Sequence, residues 1–491
     1  MLSKNTIIQN KVIITTLEDL MPKEHFLRDL NKLVDFSFIY EKVGHLYSQV
    51  GRPSVDPVVL IKSLLLGFIY GIDSERKIER EIQVNIAYRW FLGIDLDEKV
   101  PDHSTISQTR HRKFNNTSLF EDIFVQIVKK CIEVGLVDGS LILTDSTHVK
   151  ANASSSSKRK EYVTVTIEPS DYVKKLDKIC EEEDLIIRAE AIKKGYKKRG
   201  FKAKVGPKTK TIIQSTTDPD SGMMKRPGKP EGFHYLSHQS TCGKSGIITD
   251  VHVTPANIND YTPYVGRIKH QIEKYGFEIK EVGLDKGYDR TEVHKELYDL
   301  GIKTFTPLVQ EKSNITVFQS SAFKYNLNQD IFICPNNCEL KLASISKTIH
   351  CRVYAAKRKH CLKCTLKTQC KSDNLPNRVL KIPLFQFEAD IQRANYGTPR
   401  YYDIQRLRKI YCEGNFALQK DNHNLRSTRK RGNKNVAEHC LLSALALNLK
   451  RLVKYMKNNP NFTKIKEIFH FILAIKALFI LNLQLKHKNG V

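Results

Sequence analysis

Three carboxylates, Asp145, Asp285 and Glu413, have the residue type and setting that metal-assisted chemistry on phosphate needs. In LILTDSTHVKA (141–151) four apolar or β-branched residues run straight into Asp145, and polar residues follow. In EVGLDKGYDR (281–290) Asp285 stands at the same kind of junction. A carboxylate at the end of a buried strand costs free energy unless something compensates it. A hard divalent cation, Mg²⁺ or Mn²⁺, does so with few carboxylates and leaves positions for water and phosphate oxygens. Two ions roughly 4 Å apart can activate an attacking oxygen and stabilise a leaving one. Without metal the acids should repel one another and sit above their ordinary pKa values. Asp289 has a simpler reading: Glu292 follows at capping-box spacing, which assigns Asp289 a structural role.

Glu413 enters from a helix expected over 399–420, with Thr398 as cap and Pro399 in the first turn. At 3.6 residues per turn Arg406, Lys409, Glu413 and Lys420 share one face of it. Leu407, Ile410, Tyr411, Ala417 and Leu418 form the adjacent apolar face. Intrahelical ion pairing explains Lys409–Glu413 equally well. It explains less well why RSTRKRGNK (426–434), with Arg426, Arg429 and Arg431, follows directly. A phosphodiester backbone approaching Glu413 would be neutralised from both sides.

The elements that must position these acids read as a mixed α/β order. Strand LILT leads to Asp145. The segments 232–241 and 246–257 flank the turn-like CGKSG as a hairpin. A helix near 260–275, strand 278–285, helix 290–301 and strand 302–308 follow. Ahead of them, 53–112 reads as helices, with Asp56 capping and Pro57 in the first turn. Behind them, 435–456 is a strongly apolar helix.

The chain of 491 residues carries 80 Lys+Arg against 53 Asp+Glu, a net charge of +27. That balance points to a polyanion, with nucleic acid ahead of an acidic membrane surface. The run 193–210 holds nine Lys or Arg and no acid; interleaved aromatics favour a nucleic-acid contact over a solvated loop. The apolar stretch 468–485 contains Lys476 and is short for a bilayer span, so it reads as a helix packed on its own chain or on a partner, with no membrane partner expected and a transmembrane span as the lesser reading. No secretory signal is visible. Of 11 cysteines, six fall between Cys334 and Cys370, a clustering that suggests metal rather than disulfides. Cys361-x2-Cys364 fits tetrahedral Zn²⁺, with Cys334, Cys338, Cys351, Cys370 and His360 as further candidates.

DSTHVKANAS, GLDKGYDR and YCEGNFALQK resemble the three catalytic blocks of bacterial insertion-sequence transposases of the Asp-Asp-Glu type. The helical segment from GRPSVDPVVL to PDHSTISQTRHR, together with STTDPDSGMM, TPANIND and RGNKNVAEHCLLSALALNLKRL, resembles further family signatures. The resemblance implies an RNase H-like mixed-sheet core over 136–308 and 399–456 and an all-helical domain over 1–125, for DNA-end binding or dimerisation. It makes 155–210 a basic insertion and 309–398 a Cys-rich insertion, and leaves 457–491 as a C-terminal apolar helix. Asp145, Asp285 and Glu413 take the three catalytic, metal-binding positions for two Mg²⁺ or Mn²⁺ ions. Some relatives carry Tyr-x2-Arg-x3-Glu-x6-Lys; here Glu413 and Lys420 keep the spacing, while Arg406 and Lys409 replace Tyr and Arg. Lys409 keeps the charge and loses the bidentate fork. The resemblance also selects Cys334, Cys361, Cys364 and Cys370 as a structural zinc set.

The expected activity is DNA transposition: cleavage and strand transfer at element ends, with Arg406, Lys409, Lys420, Arg426, Arg429 and Arg431 holding DNA. The expected partners are terminal inverted repeats and target DNA, with a homodimer assembling on them in the bacterial cytoplasm at the nucleoid. A catalytically inactive DNA-binding regulator and an RNase H-fold nuclease that cleaves without joining are the rival readings.

Overall fold

The computed structural model describes residues 12–459 apart from 13, 49, 52–53, 116, 166–170, 194–207, 226–227, 229–230, 310–317, 347–348 and 371–375. Most of the basic run 193–210, and the C-terminal apolar stretch from 460 onward, lie outside the described residues. Among the described residues no helix is long and apolar enough to cross a membrane.

The core sheet has strands β1 (Leu141–Lys150), β2 (Gly232–Cys242), β3 (Ile248–Pro255), β4 (Glu281–Gly283) and β5 (Lys303–Phe305). Their spatial order is β3-β2-β1-β4-β5, with a short strand Gly222–Met224 sharing the outer edge of β2. β1, β2 and β3 run antiparallel, while β4 and β5 run parallel to β1. This is the mixed α/β sheet expected from the order of elements. The β2–β3 hairpin turns through Gly243 to Ile247, where Gly246 takes a positive φ of 78°.

β1 is longer than expected. It continues past Asp145 to Lys150, paired with β2 from Ile142↔Cys242 to Lys150↔His234. Asp145 therefore lies within a strand and not at its end. What ends near it is the parallel ladder with β4, which pairs only Leu141 to Leu143. Beyond that point one edge of β1 opens toward the site.

Helices cover both faces. The N-terminal group includes α1 (Pro57–Ile69), α2 (Glu75–Val84) and α3 (Leu119–Glu133). Asp56 caps α1 by accepting from Val58 N at 2.7 Å, as its sequence predicts. α4 (Asp171–Lys193) belongs to the first insertion, between the paired strands Lys158–Val165 and Lys208–Ser215. α5 (Tyr264–Tyr275) and α6 (Thr291–Asp299) flank β4, and α7 (Gln386–Arg393) leads into α8 (Pro399–Arg408). A π-helical turn, Lys409–Glu413, joins α8 to α9 (Gly414–Asn422). The last element, α10 (Asn433–Lys457), is buried over most of its length, including Glu438, His439 and Asn448 as well as its apolar residues. One continuous core joins α10 to the N-terminal helices and to α5 and α6. The Asn448 amide ties α10 to β3, donating to Ile248 O at 2.8 Å and accepting from Ile248 N at 2.9 Å.

The second insertion is a five-stranded antiparallel sheet: Lys324–Asn326, Ile331–Ile333, Glu339–Ser346, Cys351–Ala356 and Val379–Pro383, each beside the next. The two insertions meet. Arg352 forks onto Glu183 of α4 at 3.1 and 2.7 Å, His350 meets Asp177 at 2.9 Å, and Cys180 packs with Ile345 and Leu384.

Candidate active site

Strand register brings the first two acids together. Leu143 pairs with Gly283 in the parallel ladder, so Asp145 and Asp285 leave neighbouring strands two residues beyond the same rung. Adjacent strands lie about 4.8 Å apart. Alternation along β1 sends Leu141, Leu143 and Asp145 to the face covered by α8, where Tyr401, Ile404 and Cys412 pack. α8 can approach this closely because residue 283 is glycine. A Cβ there would meet Ile404 Cγ2 at 2.5 Å and Leu143 Cδ2 at 2.7 Å. Once seated, α8 is fastened by Gln405, whose Nε2 donates to Leu284 O (3.0 Å) and Phe305 O (2.8 Å) at the ends of β4 and β5. Thr398 caps α8 as expected, accepting from Tyr401 N at 3.2 Å.

The third acid arrives through the π turn. Arg408 donates from Nη1 to Asp145 Oδ2 at 2.6 Å, and its Nη2 lies 3.7 Å from Glu413 Oε1. One guanidinium thus spans the acid of β1 and the acid of the helix. This corrects the helical-face reading. A π turn inserts a residue, so position 408 and not 409 faces the same way as 413. Lys409 is exposed, and Arg406 is 72 % exposed beside Asp403. The apolar face shifts with it: Ile410 and Leu418 are exposed, while Cys412, Asn415, Phe416 and Gln419 are buried.

Burial, first of all, pushes the Asp145 carboxyl up to about 6; Arg408 opposes this, and Asp285 and Asp260 add to it. Asp285 is raised for the same leading reason, with Asp260 again adding, although its Oδ1 accepts from Gly287 N at 2.8 Å. Both strand acids are raised as expected, but chiefly by burial and only secondarily by neighbouring carboxylates. Asp260, within TPANIND, is a fourth acid here, held by Ser146 Oγ at 2.7 Å. Directly across from Asp145, Gln239 exchanges amide hydrogen bonds with Gln419 of α9 at 3.0 and 2.8 Å. Arg408, Gln405, Gln239, Gln419 and Asp260 were not singled out from sequence. Only the TPANIND block could have drawn attention to one of them.

Asp289 forms no capping box: the N-cap of α6 is Arg290, without a side-chain cap bond. Instead Asp289 is buried among His294 Nε2 (3.0 Å), Arg393 Nε (2.9 Å) and Val309 N (2.8 Å). Burial opposes its ionisation, yet these three donors hold it well below the ordinary carboxylate range. Its role is structural by a different route.

The basic segment joins the sheet at the end of β1, five residues beyond Asp145. Lys150 N donates to Arg426 O at 3.2 Å and Thr428 N to Lys150 O at 3.0 Å, so 426–428 runs beside the end of β1. Arg426, Arg429 and Arg431 are exposed, meeting Asp421 (2.7 Å), Asp73 (2.8 Å) and Asn152 O (3.2 Å). Lys420 is half-buried on α9.

The cysteines gather elsewhere, at the end of the insertion sheet. Cys334 Sγ accepts from Cys338 N (3.3 Å), Cys361 Sγ from Arg378 N (3.5 Å) and Cys364 Sγ from Asn336 Nδ2 (3.4 Å). Cys361, Cys370 and Cys334 pack on one apolar cluster. Cys351 lies apart, on the α4-facing strand, with its thiol toward Ile349 O at 3.1 Å. Among the described residues only Glu79, Asp102 and His103 bring three donor atoms within 4.8 Å of one another. There His103 is already shared between Glu79 (2.7 Å) and Arg76 (3.2 Å), which ties α2 to the helix His103–Thr109.

Residues 15–112 match the model "Transposase domain (DUF772)", and residues 333–453 match "Transposase DDE domain". The second range contains Glu413 and the cysteines from Cys334 to Cys370; Asp145 and Asp285 lie outside both. No curated protein matches. Among solved structures, a piggyBac transposase synaptic complex with hairpin DNA aligns at 9% identity and a TM-score of 0.27, covering 89% of this chain and 82% of that one. A Mos1 mariner paired-end complex with Mn aligns at 10% identity and a TM-score of 0.16, covering 54% and 64%. Likeness at that level carries no argument about the site. Both domain models that match this chain, one toward each end of it, are transposase domains, the second of the DDE type, and they support a DNA transposase function.

Proposed function

We propose that Asp145, Asp285 and Glu413 are the catalytic acids, acting in cleavage of DNA at element ends and in joining of those ends to target DNA. The observation that carries this is the bridge through Arg408, which draws Glu413 to Asp145 beside the strand bearing Asp285. The match to a DDE transposase domain implies a divalent metal, and the acids suit Mg²⁺ or Mn²⁺: hard oxygen donors, two of them raised by burial, from three separate elements. When bound, two such ions would activate water, and then a DNA 3′-OH, for attack on a phosphodiester. The chain's own part is to fix the carboxylates. Gly283 admits α8, Gln405 fastens it, and the π turn aims Glu413. Arg426, Arg429 and Arg431, exposed beyond the end of β1, and Arg406, Lys409 and Lys420, along α8, the π turn and α9, hold the DNA backbone in this reading.

Cys334, Cys361, Cys364 and Cys370 hold a structural Zn²⁺ in this reading. Three of the four sulfurs accept N–H donors, as thiolates do around a metal, and Cys338 stands beside Cys334 as an alternative ligand. A zinc clip would stabilise a small insertion whose own core is slight. The N-terminal helices bind terminal repeats or pair two copies on DNA, and the protein acts at the nucleoid.

The test is Asp145→Asn on supercoiled and pre-cleaved substrates. It should abolish nicking and strand transfer and leave salt-sensitive DNA binding intact. Nicking at the wild-type rate would overturn the assignment. A wild-type chain that binds but never cleaves would be an inactive regulator, and one that cleaves but cannot join pre-cleaved ends would be a nuclease.

A further inference from the structure

We propose that Arg408 is a positioning residue that stands in for a divalent cation: its guanidinium holds Asp145 and Glu413 together and must leave Asp145 for an ion to bind. The inference rests on the reading of those two acids as metal ligands.

The geometry gives Arg408 one tight contact and one loose one. Nη1 lies 2.6 Å from Asp145 Oδ2, and Nη2 lies 3.7 Å from Glu413 Oε1. The Arg408 side chain is 15 % exposed and that of Asp145 17 %, whereas Glu413 is 51 % exposed. The base of the guanidinium is anchored, with Nε donating to Gln405 Oε1 at 3.2 Å, and Gln405 is itself bonded to the ends of β4 and β5. The fork is therefore aimed from a fixed point, and its outer arm is free to exchange partners.

Charge explains why something must sit there. Asp145 feels Asp285 and Asp260 as well as Arg408. Drawing Glu413 toward such a group without a cation would be repulsive. A guanidinium can bridge two carboxylates in one plane, which an ammonium does less well. The π turn presents arginine 408 here and turns lysine 409 outward. A divalent ion shared by Asp145 and Glu413 would have to occupy the space between them, which the guanidinium fills. Like charges at that separation exclude one another, so ion binding and the Arg408–Asp145 contact compete. The residue preserves the arrangement at the cost of metal affinity.

The experiment is Mn²⁺ binding to the full chain, followed by electron paramagnetic resonance, with thermal unfolding in EDTA and in saturating Mn²⁺. Arg408→Met should bind Mn²⁺ at least about tenfold more tightly than wild type. Its melting temperature should fall in EDTA and recover in Mn²⁺ by more than the wild type gains. A residue that merely supported the fold would lower stability in both conditions and would not tighten binding. Should Arg408→Met fail to fold in EDTA, Arg408→Lys keeps the charge without the fork and should bind Mn²⁺ more tightly by a smaller factor. Unchanged or weaker affinity in the variant that folds overturns the proposal. Asp145→Asn separates the two levels: loss of Mn²⁺ binding there, with no tightening from Arg408, refutes only the role of Arg408. Wild-type Mn²⁺ affinity in Asp145→Asn refutes the metal-site reading itself.

Discussion

Two arginines in this molecule each lie between two carboxylates next to a π turn, and they are built for opposite ends. Arg110 opens the turn Arg110–Phe114 and joins Glu75 of α2 (2.9 Å) to Glu438 of α10 (3.1 Å), with side-chain exposures of 4 %, 24 % and 10 %. Arg408 precedes the turn Lys409–Glu413 and joins Asp145 to the half-exposed Glu413. Burial raises an acid in each pair, Glu438 to about 7 and Asp145 to about 6, with the arginine opposing in both. The first bridge is largely buried, though Glu75, Arg110 and Glu438 border a cleft, and it clamps the N-terminal helices to α10. The second opens to solvent at one end. A closed bridge is a fastener, and an open one can be exchanged for another cation.

The largest expected effect separates them by stability. Arg110→Met leaves Glu438 buried without its partner, and breaking such a pair costs about 3–5 kcal/mol. The loss should appear as a lower melting temperature, equal in EDTA and in Mn²⁺. Rescue by Mn²⁺ would mean that the Arg110 bridge is also a metal site and would erase the distinction.

Next comes Gly283→Val. The added side chain must push Ile404 or Leu143 aside, and overpacking of this kind costs about 1–3 kcal/mol. Because α8 carries Gln405 and Arg408, a displacement of about 1 Å should lower strand cleavage on the order of 10²-fold. Cleavage at the wild-type rate in a folded Gly283→Val protein would show that α8 need not seat on β4.

pH resolves the two bridges further. An acid raised in the folded state contributes stability below its unfolded pKa, and that contribution is lost as pH rises through the folded value. For Asp145 the window runs from the ordinary aspartate range to about 6, and for Glu438 from the ordinary glutamate range to about 7. Mn²⁺ should offset the loss in the first window and leave the second unchanged. Apparent Mn²⁺ affinity should fall roughly tenfold per pH unit below the Asp145 value and level off above it. Affinity independent of pH between 5 and 7 would contradict the raised Asp145.

The smallest effect is that of Lys409→Ala. Its exposed charge should contribute one phosphate contact, lowering the salt dependence of DNA binding by about one unit of slope. Loss of Mn²⁺ binding in Lys409→Ala would restore the regular-helix reading, in which residue 409 and not 408 faces Glu413.

Much of this was legible along the chain, because the signals were local. Alternation and turn residues marked the β2–β3 hairpin, and Asp56 and Thr398 marked their helix starts by cap chemistry. The junctions at Asp145 and Asp285 identified both strand acids. The misreadings have physical causes. A periodicity of 3.6 cannot anticipate a π turn, so residue 409 was assigned the direction that 408 takes. Polarity after Asp145 suggested a strand end, but β1 is paired along one edge by β2 regardless of composition. Asp289 had a local capping partner in Glu292 and instead found Arg393, 104 positions away. Gln239 and Gln419 meet across 180 positions, and neither carries a local mark of its partner.

Asp145, Asp285 and Glu413, in the proposal, form one metal-binding site. Iron-directed backbone cleavage tests it most directly: Fe²⁺ bound to the full chain, with ascorbate and peroxide, cuts the polypeptide nearest the ion. Cuts should fall in three distant segments, around 145, 285 and 413, suppressed by excess Mg²⁺ and lost together in Asp145→Asn. Cuts confined to Glu79, Asp102 and His103, or persisting unchanged in Asp145→Asn, would contradict it.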